Sequence, residues 1–229
     1  MGFINIHNLQ YSYATKKTPV TSNWCLSIPT LKISQGENVF VYGPSGCGKS
    51  TFLSLISGII QPSSGELEIM GQDLAKLGSH KRDMFRTKNI GYIFQQFNLI
   101  PYLTIKENII LPTLLQKKLV SVENFEYLIS RLNLEAILDQ MANRVSVGQA
   151  QRAATARALI LRPPVVLADE PTSSLDEGNQ ERFMRLLFEV VDQENSTLIF
   201  VSHNKALAAS FSHKIELSQY SQAKSSKNV

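Results

Sequence analysis

The sequence predicts an α/β fold, a mostly parallel sheet covered on both faces, and three short apolar runs carry that prediction. Residues 38–42 (NVFVY), 165–168 (VVLA) and 197–201 (TLIFV) are rich in β-branched residues, continuous in apolar character and bounded by turn or helix signals. Strands buried on both faces read this way, whereas half-exposed strands alternate. Helical patterns at 49–59, 149–161 and 179–191 follow the runs or lie between them. Strand–helix alternation of this kind implies a doubly wound core.

The remaining segments fill in around that core. Residues 3–8 (FINIHN) alternate apolar and polar, as a half-buried strand does, and 24–28 and 66–70 are also β-like. From about Thr104 to Arg144 the stretches IKENIILPTLLQ and VENFEYLISRLNL favour helix with no strong strand signal, so this part is expected to be a helical insertion. From Ser218 onward the tail is polar and is expected to fray.

Composition narrows the class. With 229 residues, 43% hydrophobic and 18% charged, the chain suits a compact globular fold and not a disordered or fibrous one. Lys+Arg 23 against Asp+Glu 19 leaves +4, too small and scattered an excess to argue for nucleic acid. Short basic clusters at Lys81-Arg82 and at Lys224 and Lys227 would suit an anionic lipid surface. Two cysteines, Cys25 and Cys47, make no disulfide framework and fit a reducing compartment. No apolar run approaches the ~20 residues that cross a bilayer, and MGFINIHNLQ lacks the layout of a secretory signal. The expectation is a cytoplasmic protein.

The most informative motif is GPSGCGKS at 43–50, which fits G-x-x-x-x-G-K-[ST] between the strand 38–42 and the helix from Lys49. Gly43, Pro44, Ser45, Gly46, Cys47 and Gly48 supply a loop whose backbone N–H groups turn inward. The helix that opens at Lys49, Ser50 and Thr51 adds partial positive charge. Lys49 brings a full charge to the β- and γ-phosphates, and Ser50 a hydroxyl for Mg²⁺. Inside this cradle the dipole and Lys49 are expected to favour the Cys47 thiolate, with a buried, inert small residue as the alternative. A second motif, the apolar strand ending in Asp169-Glu170, separates two tasks. Asp169 sits where it can hold the Mg²⁺ shell. Glu170 points elsewhere, since successive side chains on extended backbone diverge, and suits an attacking water. That second acid favours a hydrolase over a P-loop kinase.

With these landmarks in order, the chain resembles the ABC ATPase family over nearly its whole length. Residues 144–152 (RVSVGQAQR) are similar to the signature LSGGQxQR, with Val145 for leucine and Val147 for the first glycine, while Ser146, Gly148 and Gln149 remain. Ser146 and the amides at the start of the helix GQAQRAATARALI form a second anion site. The resemblance implies that Gln95, with Gln96 as the neighbouring alternative, is the Q-loop glutamine that reaches Mg²⁺ and the water and senses the membrane partner. It likewise implies that Ser173, Ser174, Leu175 and Asp176 form the D-loop, that His203 after Ser202 is the switch histidine, and that Tyr13, or its rival Tyr11, stacks on adenine. Residues 96–108 (QFNLIPYLTIKEN) with Leu111-Pro112 resemble the branch of macrolide-exporter, lipoprotein-releasing and cell-division subunits.

The fold implied is a P-loop NTPase of RecA-like core, with an N-terminal antiparallel β subdomain and an inserted α-helical subdomain. The expected division of one ATPase domain is 1–95 and 153–217 for the core with its β subdomain, 96–152 for the helical subdomain and 218–229 for a polar tail. The activity implied is ATP hydrolysis with ATP and Mg²⁺ as cofactors, catalysed with Glu170, His203 and Gln95. Its partners would be a second copy of the chain, arranged head to tail with ATP sandwiched between, and a four-span permease docking near residues 95–103. The subunit would lie at the cytoplasmic face of the inner membrane. Transmembrane signalling without transport, and a soluble ATPase acting on nucleic acid, are the alternatives. The latter usually joins two cassettes or inserts a coiled coil, and neither pattern is present.

Overall fold

A computed structural model describes residues 2–13 and 25–221. Trp24, Lys224 and Lys227 lie outside these residues, as does the tail beyond Ser221. Backbone contacts divide the chain into two compact units, Met1–Arg86 with Val201–Val229, and Thr87–Phe200.

The first unit opens with β1 (Ile4–Tyr11) and β2 (Leu26–Ile33), which pair antiparallel with Ile4 opposite Ile33 and Ile6 opposite Leu31. After β3 (Asn38–Tyr42) and α1 (Lys49–Ile56), the strand β4 (Ser64–Ile69) covers the other edge of β1 and carries the short β5 (Gln72–Asp73). The expected alternation is visible in the burial: Ile4, Ile6, Leu67, Ile69, Ile28 and Ile33 all face a closed apolar layer. The register slips between His7 and Gln10, at Asn8, whose φ is 46°. Opposite the slip lies Gly65, where a Cβ would stand 2.2 Å from the Asn8 carbonyl oxygen, so only glycine permits the approach. Helix α1 buries Phe52, Leu53, Leu55 and Ile56 and ends three residues short of Ile59, because Ser57 turns its hydroxyl to Ser54 O and Gly58 enters the left-handed region.

Helix α2 (Ser79–Asn89) buries no side chain, which explains why no apolar periodicity announced it. Arg82 spends its guanidinium on the Leu77 and Gly58 carbonyls. It is therefore not the free lipid-facing cation that the Lys81-Arg82 cluster suggested.

The second unit begins with β6 (Ile90–Ile93), followed by α3 (Ile105–Leu115), α4 (Val122–Arg131) and α5 (Val147–Leu159). Then come β7 (Val165–Asp169), α6 (Glu177–Gln193) and β8 (Thr197–Val201). Helix starts follow their caps: Thr104, Ser121, Ser146 and Asp176 each accept from a backbone N–H in the first turn. Two of these are full capping boxes, with Glu107 and Gln149 as the reciprocal partners. Strands β6 and β7 pair in parallel, and β7 and β8 are buried throughout except at Asp169. In the first unit β9 (His213–Glu216) runs parallel to β3, and a 3-10 turn, Leu217–Tyr220, follows it. Among the described residues no helix is long and apolar enough to cross a membrane.

Candidate functional site

The phosphate-loop residues fall where β3 hands over to α1. Gly46 and Gly48 take φ of 79° and 99°, conformations that an L side chain resists. A Cβ on Gly48 would also press to 3.0 Å on Leu26. No side chain caps α1 and no acid occupies its first turn, so its N-terminal amides face outward with the helix's positive end. Lys49 curls over the loop, its Nζ donating to Gly43 O at 3.0 Å and Pro44 O at 3.1 Å. Ser50 is exposed at the loop's mouth.

Cys47 departs from expectation. Its side chain is 4% exposed, and burial raises its pKa by more than the nearby Lys49 charge and backbone N–H groups lower it. It is a packed thiol, and both its burial and the direction of its pKa favour the inert residue over the activated thiolate.

Two further residues of the first unit join the loop. The Tyr13 hydroxyl lies 2.7 Å from Thr51 Oγ1 on α1, and the Tyr13 ring meets Tyr11 edge-on at 4.9 Å. Tyr13 is the exposed member of the pair, with its ring free to take a planar group. His203 follows Ser202, whose N–H donates to Val41 O on β3 at 3.2 Å. That bond sets the exposed histidine beside the strand end from which the phosphate loop springs.

In the second unit, Gln95 and the acid pair emerge from the same edge. Ile93 on β6 is in register with Ala168 on β7, so Gln95 and Asp169 both lie just beyond the carboxyl ends of neighbouring parallel strands, where α/β folds place ligands. Tyr92, stacked on Phe94 at 4.1 Å, is half-buried; desolvation first and the Asp169 charge second drive its pKa far up, so it stays neutral. Glu170 leaves the strand with φ 44°. A left-handed glutamate is uncommon and strained, and here the turn directs it away from the line of β7.

The signature segment forms the start of α5. Ser146 Oγ accepts from Gln149 N at 3.3 Å, and Gln149 Oε1 accepts from Ser146 N at 2.8 Å. The box accounts for both residues structurally and leaves the amides of Val147 and Gly148 at the helix tip. Val147, in place of glycine, is exposed there. Ser146, Gly148, Arg152, Ser174, Asp176 and Arg182 line a cleft of ≈ 500 Å³ within this unit. Asp176 caps α6 through Asn179 N, and this bond holds its carboxyl below the usual carboxylate range.

Three residues to which the motifs gave no role hold the site in shape, two of them, Asn108 and Gln151, inside the stretches 96–108 and 144–152. Buried Gln151 donates to Pro171 O at 2.6 Å, tying α5 to the turn after Glu170. Arg157 reaches the carbonyls of Phe97 and Asn98, both at 2.6 Å. Fully buried Asn108 bonds Ile100 N and O, Leu103 O and Thr104 O. Arg157 lies outside both stretches, and no motif marked it.

Each unit's set has its own chemistry: in the first, the glycine-built loop, open amides and Lys49 suit phosphates, and in the second, the Gln95 amide and Asp169 carboxylate oxygens suit a hard divalent cation. A phosphate loop after one parallel strand and an acid pair after another define the class of P-loop ATPases. The pattern that defines the ABC transporter family matches residues 26–173, and the chain belongs to that family as an ATP-binding, ATP-hydrolysing subunit that uses ATP and Mg²⁺. It is 40% identical to the uncharacterized ABC transporter ATP-binding protein YvcR of Bacillus subtilis (strain 168), over 94% of this chain and 83% of the relative. It is 40% identical to the lipoprotein-releasing system ATP-binding protein LolD 2 of Rhodospirillum rubrum, over 81% of each. Among solved structures, the dimeric post-hydrolysis state of the ATP-binding cassette MJ0796 bound to ADP and Pi matches with a TM-score of 0.81. It is 32% identical, and the match covers 94% of this chain and 95% of that one.

Proposed function

We propose that two copies of this chain close head to tail around ATP and drive an exporter-type permease, and that the residues picked out by motif do the chemistry. The observation that carries the reading is the uncapped start of α1 behind a glycine-built loop, crossed by Lys49. The relatives' names support the export assignment: one belongs to a lipoprotein-releasing system. The dimeric neighbour supports the pairing.

In this reading Gly43, Pro44, Ser45, Gly46, Cys47, Gly48, Lys49, Ser50 and Thr51 hold the phosphates, and Tyr13 stacks on the base. Ser50, Gln95 and Asp169 would hold Mg²⁺, which neutralises phosphate charge when bound. Glu170 orients and polarises the water that attacks the γ-phosphorus as the bond to the bridging oxygen breaks. His203 steadies the γ-phosphate. Ser146, Gly148 and Gln149 of the second copy complete the anion site, so charge is fully matched only in the closed dimer. The permease, of four-span type, docks at 95–103 and holds the subunit at the cytoplasmic face of the membrane.

Equilibrium binding tests the loop: Lys49→Ala loses at least about tenfold in ATP affinity, as expected for removing a charged hydrogen-bond donor. Parental affinity would overturn the assignment. Size exclusion tests the pairing. Glu170→Gln elutes as a dimer with MgATP and hydrolyses slowly, whereas monomer elution or parental turnover refutes the dimer or the role of Glu170.

A further inference from the structure

The turn between α3 and α4 leaves a group of apolar side chains in the open. Leu114, Leu115, Leu119 and Val122 are 61%, 75%, 99% and 67% exposed. No other stretch of nine described residues holds as many of the large exposed apolar side chains. The turn is built, not frayed. Gln116 Nε2 donates to Thr87 O at 2.6 Å, Lys118 N donates to Thr113 O at 2.9 Å, Lys117 sits at φ 53°, and Ser121 caps α4. The leucines are therefore presented by fixed backbone.

Between the leucines stand Lys117 and Lys118, both exposed, and no acid occurs from Asn108 through Val122. Charge and composition identify the occupant. Protein–protein interfaces deplete lysine, and leucine is under-represented among the residues that anchor them. Apolar side chains with interspersed lysines suit the boundary between acyl chains and anionic headgroups, where the ammonium groups extend to phosphate while their stems stay in apolar surroundings. The turn is also one helix, roughly 16 Å of α3, from the segment assigned above to the permease.

We infer that the 114–122 turn is a peripheral contact for an anionic lipid surface. Leu115, Leu119 and Val122 enter the headgroup layer, and Lys117 and Lys118 supply the preference for negative charge. The contact supplements the permease and orients the helical part of the subunit against the leaflet. Nothing in it depends on nucleotide, so it can fail while the ATPase assignment stands.

Flotation of the full chain with vesicles tests it, comparing phosphatidylcholine alone with phosphatidylcholine mixed with phosphatidylglycerol. The chain binds the anionic vesicles in preference and releases with added salt. A lysine at such a surface contributes about fivefold in partitioning, so the double variant K117E/K118E loses at least about thirtyfold. Leu119→Ser, at a side chain that touches nothing, loses most binding without moving the thermal midpoint or basal ATP hydrolysis. Equal binding to neutral vesicles, no binding to either kind, or variants that bind like the parent would each overturn the inference. So would variants that bind vesicles normally but no longer co-purify with the permease in detergent, since the turn would then be a protein interface.

Discussion

The guanidinium of Arg157, eleven residues along α5 from Ser146, donates across 2.6 Å to the backbone carbonyl of Phe97, and its second terminal nitrogen takes the carbonyl of Asn98 at the same distance. The helix that presents the signature serine thus grips the chain two residues past Gln95. Burial lowers the Arg157 pKa, yet a guanidinium stays charged at any working pH, so the grip is permanent.

Removing that grip leaves two carbonyls without their charged donor. Arg157→Ala is expected to lower unfolding free energy by about 1–3 kcal/mol, the range for stranding a polar group away from water. Arg157→Lys recovers part of the loss, because a single ammonium does not reproduce the two-pronged geometry. Urea denaturation at constant pH reads both. A midpoint unmoved in the alanine variant would show that segment 97–98 holds itself.

Glu170 invites a variant that separates function from stability. Its φ of 44° costs an L-residue roughly 1–2 kcal/mol that glycine does not bear, while glycine's greater unfolded-state freedom offsets much of the gain. Glu170→Gly is therefore expected to unfold within about 1 kcal/mol of the parent and to lose ATP turnover by about a hundredfold or more, the usual range for a general base. Calorimetry beside a phosphate-release assay gives the answer. A large fall in stability would mean that the carboxylate is structural.

The buried thiol makes a kinetic prediction. Cys25 is half-exposed and Cys47 is buried, with burial pushing the Cys47 pKa up, so at neutral pH little of it is the reactive thiolate. Maleimide should label Cys25 at least about tenfold faster than Cys47, as peptide mapping of a time course would reveal. Faster labelling of Cys47 would restore the activated thiol that the motif alone suggested.

The contrast between Cys47 and Ser146 shows what was legible in the sequence. The phosphate loop, the acid pair and the capped start of α5 were readable because each is local: glycines, caps and strand ends act within a few residues. Strands β3, β7 and β8 appeared within a residue of their expected limits for the same reason, since continuous β-branched runs have one dominant reading. The state of Cys47 stayed open between thiolate and inert thiol because it depends on burial, in part against Gly43, which no spacing encodes. Helix α2 stayed hidden because it buries nothing. Arg157 stayed hidden, and Asn108 and Gln151 were given no role, because nearly all their partners are backbone carbonyls 4 to 60 residues away, and carbonyls leave no mark on a sequence.

The docking segment yields the last prediction. The segment 95–103 has no regular structure beyond a turn at Pro101-Tyr102. The loop is held firmly: Asn108 binds it at Ile100 and Leu103, and Arg157 at Phe97 and Asn98. Within it the side chains differ. Tyr102 is exposed, whereas Phe97, Leu99, Ile100 and Leu103 are half-buried. Tyr102 is therefore the place to add charge without disturbing the fold, and Leu99 is the place where charge also strains packing. Tyr102→Glu is expected to keep its thermal midpoint and basal ATP hydrolysis while losing co-purification with the permease. Leu99→Glu is expected to lose co-purification as well and about 1 kcal/mol of stability. If Tyr102→Glu assembles like the parent, the permease does not dock here. If Tyr102→Glu fails to fold, the tyrosine packs in solution against a surface that leaves it open here, and the segment is core instead of socket.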